Sequence, residues 1–315
     1  MPITLPPEVA DTIRAYFPER GEQWLADLPA TVEKRCADWG LELIGDAFRG
    51  GTHSFVAPVR RADGSVAVLK VPVVDVENQG EPTGLFHYDG DGAVRLYDYD
   101  RASGALLLEW ARPGTPLLEQ PGFPSLEGRP EHVYRIERAC RLYRRLRREP
   151  GESPGDFPPL PEAASMVADW SVRFGEPESA LAQAVPARLL EDAATLCGEL
   201  GTPDGPLLIV NRDTHLGNIV AAEREPWLLI DPKPYLGEAA FDAGFLILIQ
   251  VQSDPTAAHA AAVVARTADA LGVAPRRART WAFLRAMEEI AWSVEDDDRA
   301  VRALHLATAQ ALVVS

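Results

Sequence analysis

Residues 207–235, LLIVNRDTHLGNIVAAEREPWLLIDPKPY, contain the polar side chains around which the rest of the chain is organised. The stretch begins with an apolar run that predicts a short buried strand, and it turns polar at Asp213 and Asn218, which predicts a loop. Two more short strands are expected after the loop, and the second delivers Asp231 just before a proline. Asp213, Asn218 and Asp231 can therefore converge on one point.

These side chains suit phosphoryl transfer. One carboxylate must orient the attacking hydroxyl and accept its proton, while an amide oxygen and a second carboxylate hold the Mg²⁺ that neutralises the phosphates. Asp213 is the candidate for the first role, and Asn218 and Asp231 are candidates for the second. The spacing from Asp213 to Asn218 is that of a protein-kinase catalytic loop. A polar turn in which Asp213 and His215 only satisfy backbone groups explains the spacing equally well.

Two motifs in this stretch resemble a known family. Asp213, His215 and Asn218 form a D-x-H-x-x-N pattern similar to the core motif of the aminoglycoside phosphotransferase superfamily. Residues 223–242, EREPWLLIDPKPYLGEAAFD, resemble the branch that contains streptomycin 6-kinases and hydroxyurea phosphotransferases. The resemblance implies an α+β, bilobal protein-kinase-like fold, in which Asp213 is the catalytic base and Asn218 and Asp231 bind magnesium.

The sequence pattern of the N-terminal part of the chain predicts helices followed by a nucleotide-binding sheet. Lys70 closes an apolar strand, where a buried ammonium needs an anionic partner. If the strand stood alone, the simpler explanation would be that the Lys70 ammonium reaches solvent. Because Asp213, Asn218 and Asp231 follow downstream, we assign Lys70 to the ATP phosphates. The sheet is expected to be antiparallel and five-stranded, with strands at residues 41–48, 53–60, 65–71, 93–99 and 105–110.

Further nucleotide contacts are expected at a glycine-rich turn, a helix and a hinge. Backbone N–H groups of the turn can approach phosphates, although most Gly-Gly pairs are plain hairpin turns. Similarity to the family places Glu81 as the partner of Lys70, with Glu77 as the other candidate, and it places the hinge that binds adenine after the last strand. The residues assigned in this way are Gly50, Gly51, Thr52, Glu81, Glu109, Trp110 and Ala111.

The helix that carries Glu81 is expected to be short or broken. Gly80, Pro82 and Gly84 surround this glutamate, and proline or repeated glycine is costly inside a helix. The proline- and glycine-rich segment 149–163 is expected to be a disordered connection, with a flap near the acceptor as the alternative.

Residues 111–315 predict a mainly helical C-lobe, and residues 1–110 form the expected N-lobe. In the aminoglycoside kinases, acidic residues of C-terminal helices bind the cationic acceptor. The resemblance therefore implies Glu288, Glu289 and Asp296 as acceptor-binding residues. The alternative for Asp296 and its neighbours is that they cap the helix that follows them.

Composition narrows the choice of partner and location. The net charge of −16 disfavours nucleic acid and anionic membranes and favours a cationic small molecule, although the acidity also serves solubility. No apolar run approaches the length of a membrane span, and no leader is evident, so a cytoplasmic location is expected. The three cysteines predict buried free thiols.

The function expected from the sequence is ATP- and Mg²⁺-dependent O-phosphorylation of a streptomycin-like or related cationic compound. Two alternatives stay open. The acceptor can be another metabolite or a peptide antibiotic, or the chain can be a nucleotide-binding pseudokinase with weak catalysis. The second alternative is motivated by Asn211 and Arg212, which stand where many superfamily members have His-Gly before the catalytic aspartate.

Overall fold

The computed structural model describes residues 3, 5–49, 53–119 and 131–313 of the chain. The chain divides into two compact units, and the first takes up two segments that lie beyond the expected boundary at residues 110 and 111. The first unit comprises Met1–Gly114, Glu152–Pro159 and Ala221–Ile230; the second comprises Thr115–Gly151, Leu160–Val220 and Asp231–Ser315.

The first unit contains two N-terminal helices, a sheet and a third helix. The helices are α1 (Pro7–Tyr16), α2 (Pro18–Trp39) and α3 (Glu81–Tyr88). The strands are β1 (Leu41–Leu43), β2 (Ser54–Arg61), β3 (Val66–Pro72), β4 (Leu96–Asp100) and β5 (Ala105–Glu109). They form the predicted five-stranded antiparallel sheet in the order β1-β2-β3-β5-β4. Each of the helices has proline in its first turn, where the missing N–H costs nothing.

One face of this sheet packs on α2. Val32 of the helix and Ala57 and Leu69 of β2 and β3 are fully buried there, within a larger apolar cluster. In the β2–β3 register Val56 lies opposite Lys70. Because successive side chains of a strand alternate between faces, Lys70 points to the face opposite Leu69. The sheet therefore keeps its apolar core on one side and presents Lys70 on the other.

The proline- and glycine-rich segment packs against α3 instead of forming the expected disordered connection. The Thr83 hydroxyl donates to the Pro158 carbonyl at 2.5 Å, and His87 bonds Ser153 at 2.9 Å. The rings of Phe86 and Phe157 lie 5.2 Å apart. These contacts give the segment partners that its composition does not reveal.

The second unit is mainly helical. Its helices are α4 (Glu131–Leu146), α5 (Ala163–Gly175), α6 (Ala180–Ala184), α7 (Ala187–Leu200), α8 (Ala243–Val251), α9 (Ala257–Leu271), α10 (Pro275–Glu295) and α11 (Arg299–Leu312). A two-stranded antiparallel sheet is formed by β7 (Leu208–Asn211) and β10 (Pro234–Gly237). A further sheet, in the order β6-β8-β9, contains β6 (Pro113–Pro116), β8 (Ile219–Ala222) and β9 (Trp227–Leu229). Strand β9 belongs to the first unit, and the division between the units falls within β6 and β8.

Helix α10 is the central helix of the second unit. Its apolar side chains are buried around much of its circumference, including Trp281, Phe283 and Met287, as expected of a helix enclosed by others. It also buries two charged residues, Arg285 and Glu288. Buried charges need partners, and these two residues pair with each other within the helix.

The cysteines are free thiols, as predicted. Cys140 and Cys197 are buried and Cys36 is partly buried. Burial raises the pKa of the Cys140 and Cys197 thiols to about 12, so both stay protonated and unreactive near neutral pH. Among the helices in the described ranges, none is long and apolar enough to cross a membrane.

Candidate active site

In the first unit the structure brings Lys70 and Glu81 together. The Lys70 Nζ lies 2.6 Å from Glu81 Oε2, and the two side chains are 7% and 1% exposed. A buried ion pair of this kind needs close geometry to offset the loss of hydration. The other candidate, Glu77, lies in the preceding turn, where its backbone N–H donates to the Asp75 side chain.

A local turn sets the start of the helix that carries Glu81. The Asp75 carboxylate accepts from the backbone N–H of Asn78 at 2.9 Å, and the Asn78 amide donates to the Val73 carbonyl at 2.8 Å. Pro82 occupies the first turn, where it is tolerated. The helix expected to be short or broken is therefore short but continuous, and Glu81 faces Lys70 from its first position.

Glu109, the last residue of β5, and the next two residues, Trp110 and Ala111, line a cavity of about 370 Å³. These are the residues expected at the hinge. The remaining residues that line the cavity are Val66, Tyr97, Arg112, Ala222, Glu223 and Arg224. The Phe48 ring lies 5.8 Å from the Trp110 ring. The turn with Gly50, Gly51 and Thr52 lies outside the described residues.

Sequence reasoning missed Arg224, which fixes the Glu109 side chain. Its Nε and Nη2 donate to the two oxygens of Glu109, each at 2.8 Å, and it also donates to the Gly90 and Ala93 carbonyls. Burial alone would raise the pKa of the Glu109 carboxyl, but the hydrogen bonds from Arg224 and from the Arg95 backbone bring that pKa below its usual value. This paired fork is a strong, directional contact.

In the second unit the Asp213 carboxylate is the centre of a polar group. Its Oδ2 accepts from Asn218 Nδ2 at 3.2 Å, and it lies 3.6 Å from His215 Nε2 and 3.9 Å from Lys233 Nζ. His215 accepts from the Gly217 backbone at its Nδ1, so the imidazole braces the loop. The Asp213 side chain is 20% exposed, which leaves it accessible to a small molecule.

Asp231 and Asn218 offer the oxygen ligands that a magnesium ion would need. Because the Asn218 Nδ2 is directed to Asp213, its Oδ1 is the atom left to serve as a ligand. Asp231 is exposed, and its backbone has a φ of 48°, a left-handed conformation that aspartate adopts more readily than most residues. The described residues contain no cluster of three or more His, Cys, Asp or Glu that could hold a metal. One carboxylate, one amide oxygen and substrate phosphates suit Mg²⁺.

The backbone around Asp213 is anchored to Asp242, a buried residue without a role in the sequence-based prediction. Its Oδ1 accepts from the Asn211 N–H at 2.7 Å, and its carbonyl accepts from the Thr214 hydroxyl at 3.1 Å. Arg147 Nε donates to its other oxygen at 2.6 Å. The signal was available, because Asp242 is a lone carboxylate in an otherwise apolar run at the end of the family-like segment.

Glu288, which was expected to bind the acceptor, is buried and paired inside the protein. Glu288 is 5% exposed, and its Oε1 accepts from Trp170 Nε1 and from Arg212, each at 2.9 Å. Its Oε2 is paired with Arg285. A buried carboxylate with these three donors is occupied inside the protein and is poorly suited to bind an incoming cation.

The other acidic candidates remain nearer the surface. Glu289 is 20% exposed and lies 3.4 Å from Arg285, and Asp296 is exposed at the end of α10. Asp298, in the same acidic run, caps α11 by accepting from the backbone N–H groups of Ala300 and Val301 at 3.0 Å. The capping alternative thus applies to Asp298.

The chain matches proteins of known families along most of its length. Residues 39–297 match the family model of aminoglycoside/hydroxyurea antibiotic resistance kinases. The chain is 34% identical to a hydroxyurea phosphotransferase of Kitasatospora aureofaciens over 99% of this chain and 86% of that protein. It is 33% identical to a streptomycin 6-kinase of Streptomyces glaucescens, over 98% of this chain and 97% of that protein.

A solved structure provides the comparison of folds. It is a thermostable mutant of aminoglycoside phosphotransferase APH(4)-Ia in a ternary complex with AMP-PNP and hygromycin B. It aligns with a TM-score of 0.57 over 89% of this chain and 97% of that one, at 12% identity. At this identity the likeness concerns the fold alone, and it confirms the predicted protein-kinase-like fold.

Proposed function

The chain belongs to the aminoglycoside/hydroxyurea antibiotic resistance kinase family, and from this premise we propose how it works. Membership confirms the resemblance predicted from its motifs and makes the chain a small-molecule phosphotransferase that acts on hydroxyl groups. Our proposal is that it transfers the γ-phosphoryl group of Mg-ATP to a hydroxyl of a streptomycin-like or related cationic compound.

In this proposal Asp213 orients the acceptor hydroxyl and takes its proton. The observation that carries the proposal is the environment of this carboxylate. Asn218 donates to one of its oxygens while the side chain stays partly exposed, so it is both oriented and reachable. A positioned carboxylate that accepts a proton in the transition state contributes about 10²–10⁴-fold to the rate. His215 has a bracing role through its contact with Gly217.

Asn218 Oδ1 and Asp231 are proposed to hold Mg²⁺ together with the nucleotide phosphates. When bound, the ion supplies neutralisation of the phosphate charge. Lys233, whose ammonium lies 3.9 Å from Asp213 Oδ2, adds positive charge to the same group of side chains and is a candidate contact for a phosphate or the acceptor.

Lys70 is proposed to bind the non-transferred phosphates while Glu81 fixes its position. Their 2.6 Å contact supports these roles, because it holds the ammonium in place within the unit. The backbone of Glu109, Trp110 and Ala111 is proposed to bind the adenine edge.

The turn with Gly50, Gly51 and Thr52 is proposed to approach the phosphates. Glu289 and Asp296 remain candidates for the acceptor, whose cationic character is supported by the net charge of −16.

The proposal is tested with ADP release from Mg-ATP in the presence of streptomycin, hydroxyurea, and a wider set of amino sugars and peptide antibiotics. Product mass spectra identify the compound that gains a phosphoryl group. We expect acceptor-dependent turnover with a cationic hydroxyl compound. Turnover confined to an uncharged or anionic metabolite would reject the cationic acceptor. ATP binding without turnover on any acceptor would favour the nucleotide-binding alternative.

A further inference from the structure

Arg212 belongs to a buried charged cluster that the family motifs do not describe. The residue precedes Asp213 directly, and its side chain is 8% exposed. We call the group formed by Arg212, Trp170, Arg285, Glu288 and Trp292 the Glu288 cluster. Its members come from the loop after β7, from α5 and from α10.

Glu288 is the centre of this cluster. Its Oε1 accepts from Arg212 Nη2 and Trp170 Nε1, each at 2.9 Å, and its Oε2 is paired with Arg285. The guanidinium carbons of Arg212 and Arg285 lie 5.4 and 5.7 Å from the Trp292 ring centroid. Such a network restricts Arg212 to one orientation, because a guanidinium fork and an aromatic face are both directional.

The charges in and next to the cluster balance. Arg212 and Arg285 carry two positive charges, while Glu288 and Glu289, which lies 3.4 Å from Arg285, carry two negative ones. Removing the Arg212 guanidinium leaves an excess negative charge in the protein interior, where solvent screens that charge poorly. The cluster therefore favours the arrangement in which Arg212 remains in place.

Arg212 is also held through its backbone. Its N–H donates to the Lys233 carbonyl at 2.9 Å, and the neighbouring Asn211 and Thr214 are bound to Asp242. The side-chain contact with Glu288 adds an anchor on α10, on a different element from Asp242. A residue fixed at both backbone and side chain leaves its neighbour Asp213 few alternative orientations.

We propose that Arg212 is a positioning residue, whose buried ion pair with Glu288 fixes the backbone that carries Asp213. This inference rests on the proposed function, in which Asp213 is the base. Arg212 has no contact with reacting atoms in this scheme. It acts by fixing the orientation of Asp213. It also gives a role to the departure from His-Gly before the catalytic aspartate.

The same helix provides a matched control. Glu238 is 2% exposed and accepts from Trp281 Nε1 and from both Nε and Nη2 of Arg277. This second group has the same three residue types, and Trp281 and Arg277 also belong to α10. Arg277 donates to Glu238 and to the Glu199 and Thr202 carbonyls and not to the loop that carries Asp213, so its loss should affect stability without affecting the base.

The test compares Arg212→Met, Arg212→Lys and Arg277→Met in the full-length protein. We expect Arg212→Met to lower kcat by about 100-fold, the effect of a displacement near 1 Å, with KM for ATP unchanged. Arg212→Lys keeps the charge but not the fork and should recover part of kcat. Arg277→Met should lower the Tm and leave kcat unchanged. A drop in Tm for both methionine variants with kcat retained in both would overturn the proposal.

Amide hydrogen exchange gives a second readout that needs no acceptor. The backbone N–H groups of residues 211 and 212 donate to the Asp242 carboxylate and to the Lys233 carbonyl. We expect Arg212→Met to speed exchange at these two amides relative to wild type, while Arg277→Met leaves them protected. If wild type shows no turnover, the function proposed for the chain fails, and exchange still decides the role of Arg212. Equal protection of the two amides in both variants and wild type would reject positioning by Arg212.

Discussion

Lys70 and Glu81 place opposite charges in the interior of the first unit. With exposures of 7% and 1% they have little contact with water, so neither can lose its partner without leaving a buried charge. Removing one member of such a pair typically costs about 3–5 kcal/mol. The pair should therefore matter for both the stability of the unit and the position of the ammonium.

Glu81→Gln should lower the free energy of unfolding by about 3–5 kcal/mol and raise KM for ATP, because Lys70 loses the group that orients it. Urea unfolding and steady-state kinetics measure the two effects. Glu77→Gln, in the preceding turn, is the matched control and should change neither quantity by a comparable amount. Wild-type stability and KM in Glu81→Gln would contradict the role of this pair.

At the level of single residues, local spacing was sufficient to predict some contacts. Asp213 and Asn218 lie in one loop, so their 3.2 Å contact follows from a short-range pattern. Local spacing could not predict that Glu288 is buried, because its partners Trp170 and Arg212 lie far away in the sequence. An acidic residue near the end of a helix looks solvent-exposed until its distant partners are known.

Helices α10 and α11 bring a buried histidine close to a charged group. His305 of α11 is 6% exposed, with Gln252 at 3.3 Å and Glu289 at 4.0 Å. Burial lowers the pKa of His305 below its usual value, and the positive charge of Arg285 lowers it further. The folded protein therefore binds this proton less readily than the unfolded chain does.

The stability of the protein should fall as the pH drops below about 6.5, the ordinary histidine pKa. Because the folded-state pKa is depressed, the contribution of His305 is complete above that pH and is lost as the pH falls toward the folded value. Urea unfolding at pH 7.5 and 5.5 (about the range over which histidine titrates) measures this slope. His305→Gln should reduce it. An unchanged slope in the variant would show that another group is responsible.

Elements with a clear periodicity were predicted, while those defined by distant pairing were not. The five strands of the first unit were predicted from apolar residues that are bounded by turn residues. β10 was missed because it is short, contains a proline and is paired with β7, and β6 was missed because two of its four residues are prolines. The segment 149–163 was misread because its partners belong to α3, which composition cannot indicate.

For the whole molecule, the family and fold could be predicted from one stretch of sequence because its motif residues are close together in the chain. The division into units could not, because Glu152–Pro159 and Ala221–Ile230 join the first unit through contacts with distant residues. The net charge of −16 belongs to the chain as a whole, and it supports only a class of acceptor.

The central claim, that Asp213 is the base of phosphoryl transfer, is tested most directly with Asp213→Asn and the acceptor identified for wild type. The change keeps the size of the side chain and removes its basicity. We predict that kcat falls by about 10²–10⁴-fold, with the Tm and KM for ATP preserved. Asp169→Asn, at an exposed position of α5, is the control and should behave as wild type. Wild-type kcat in Asp213→Asn would contradict the account.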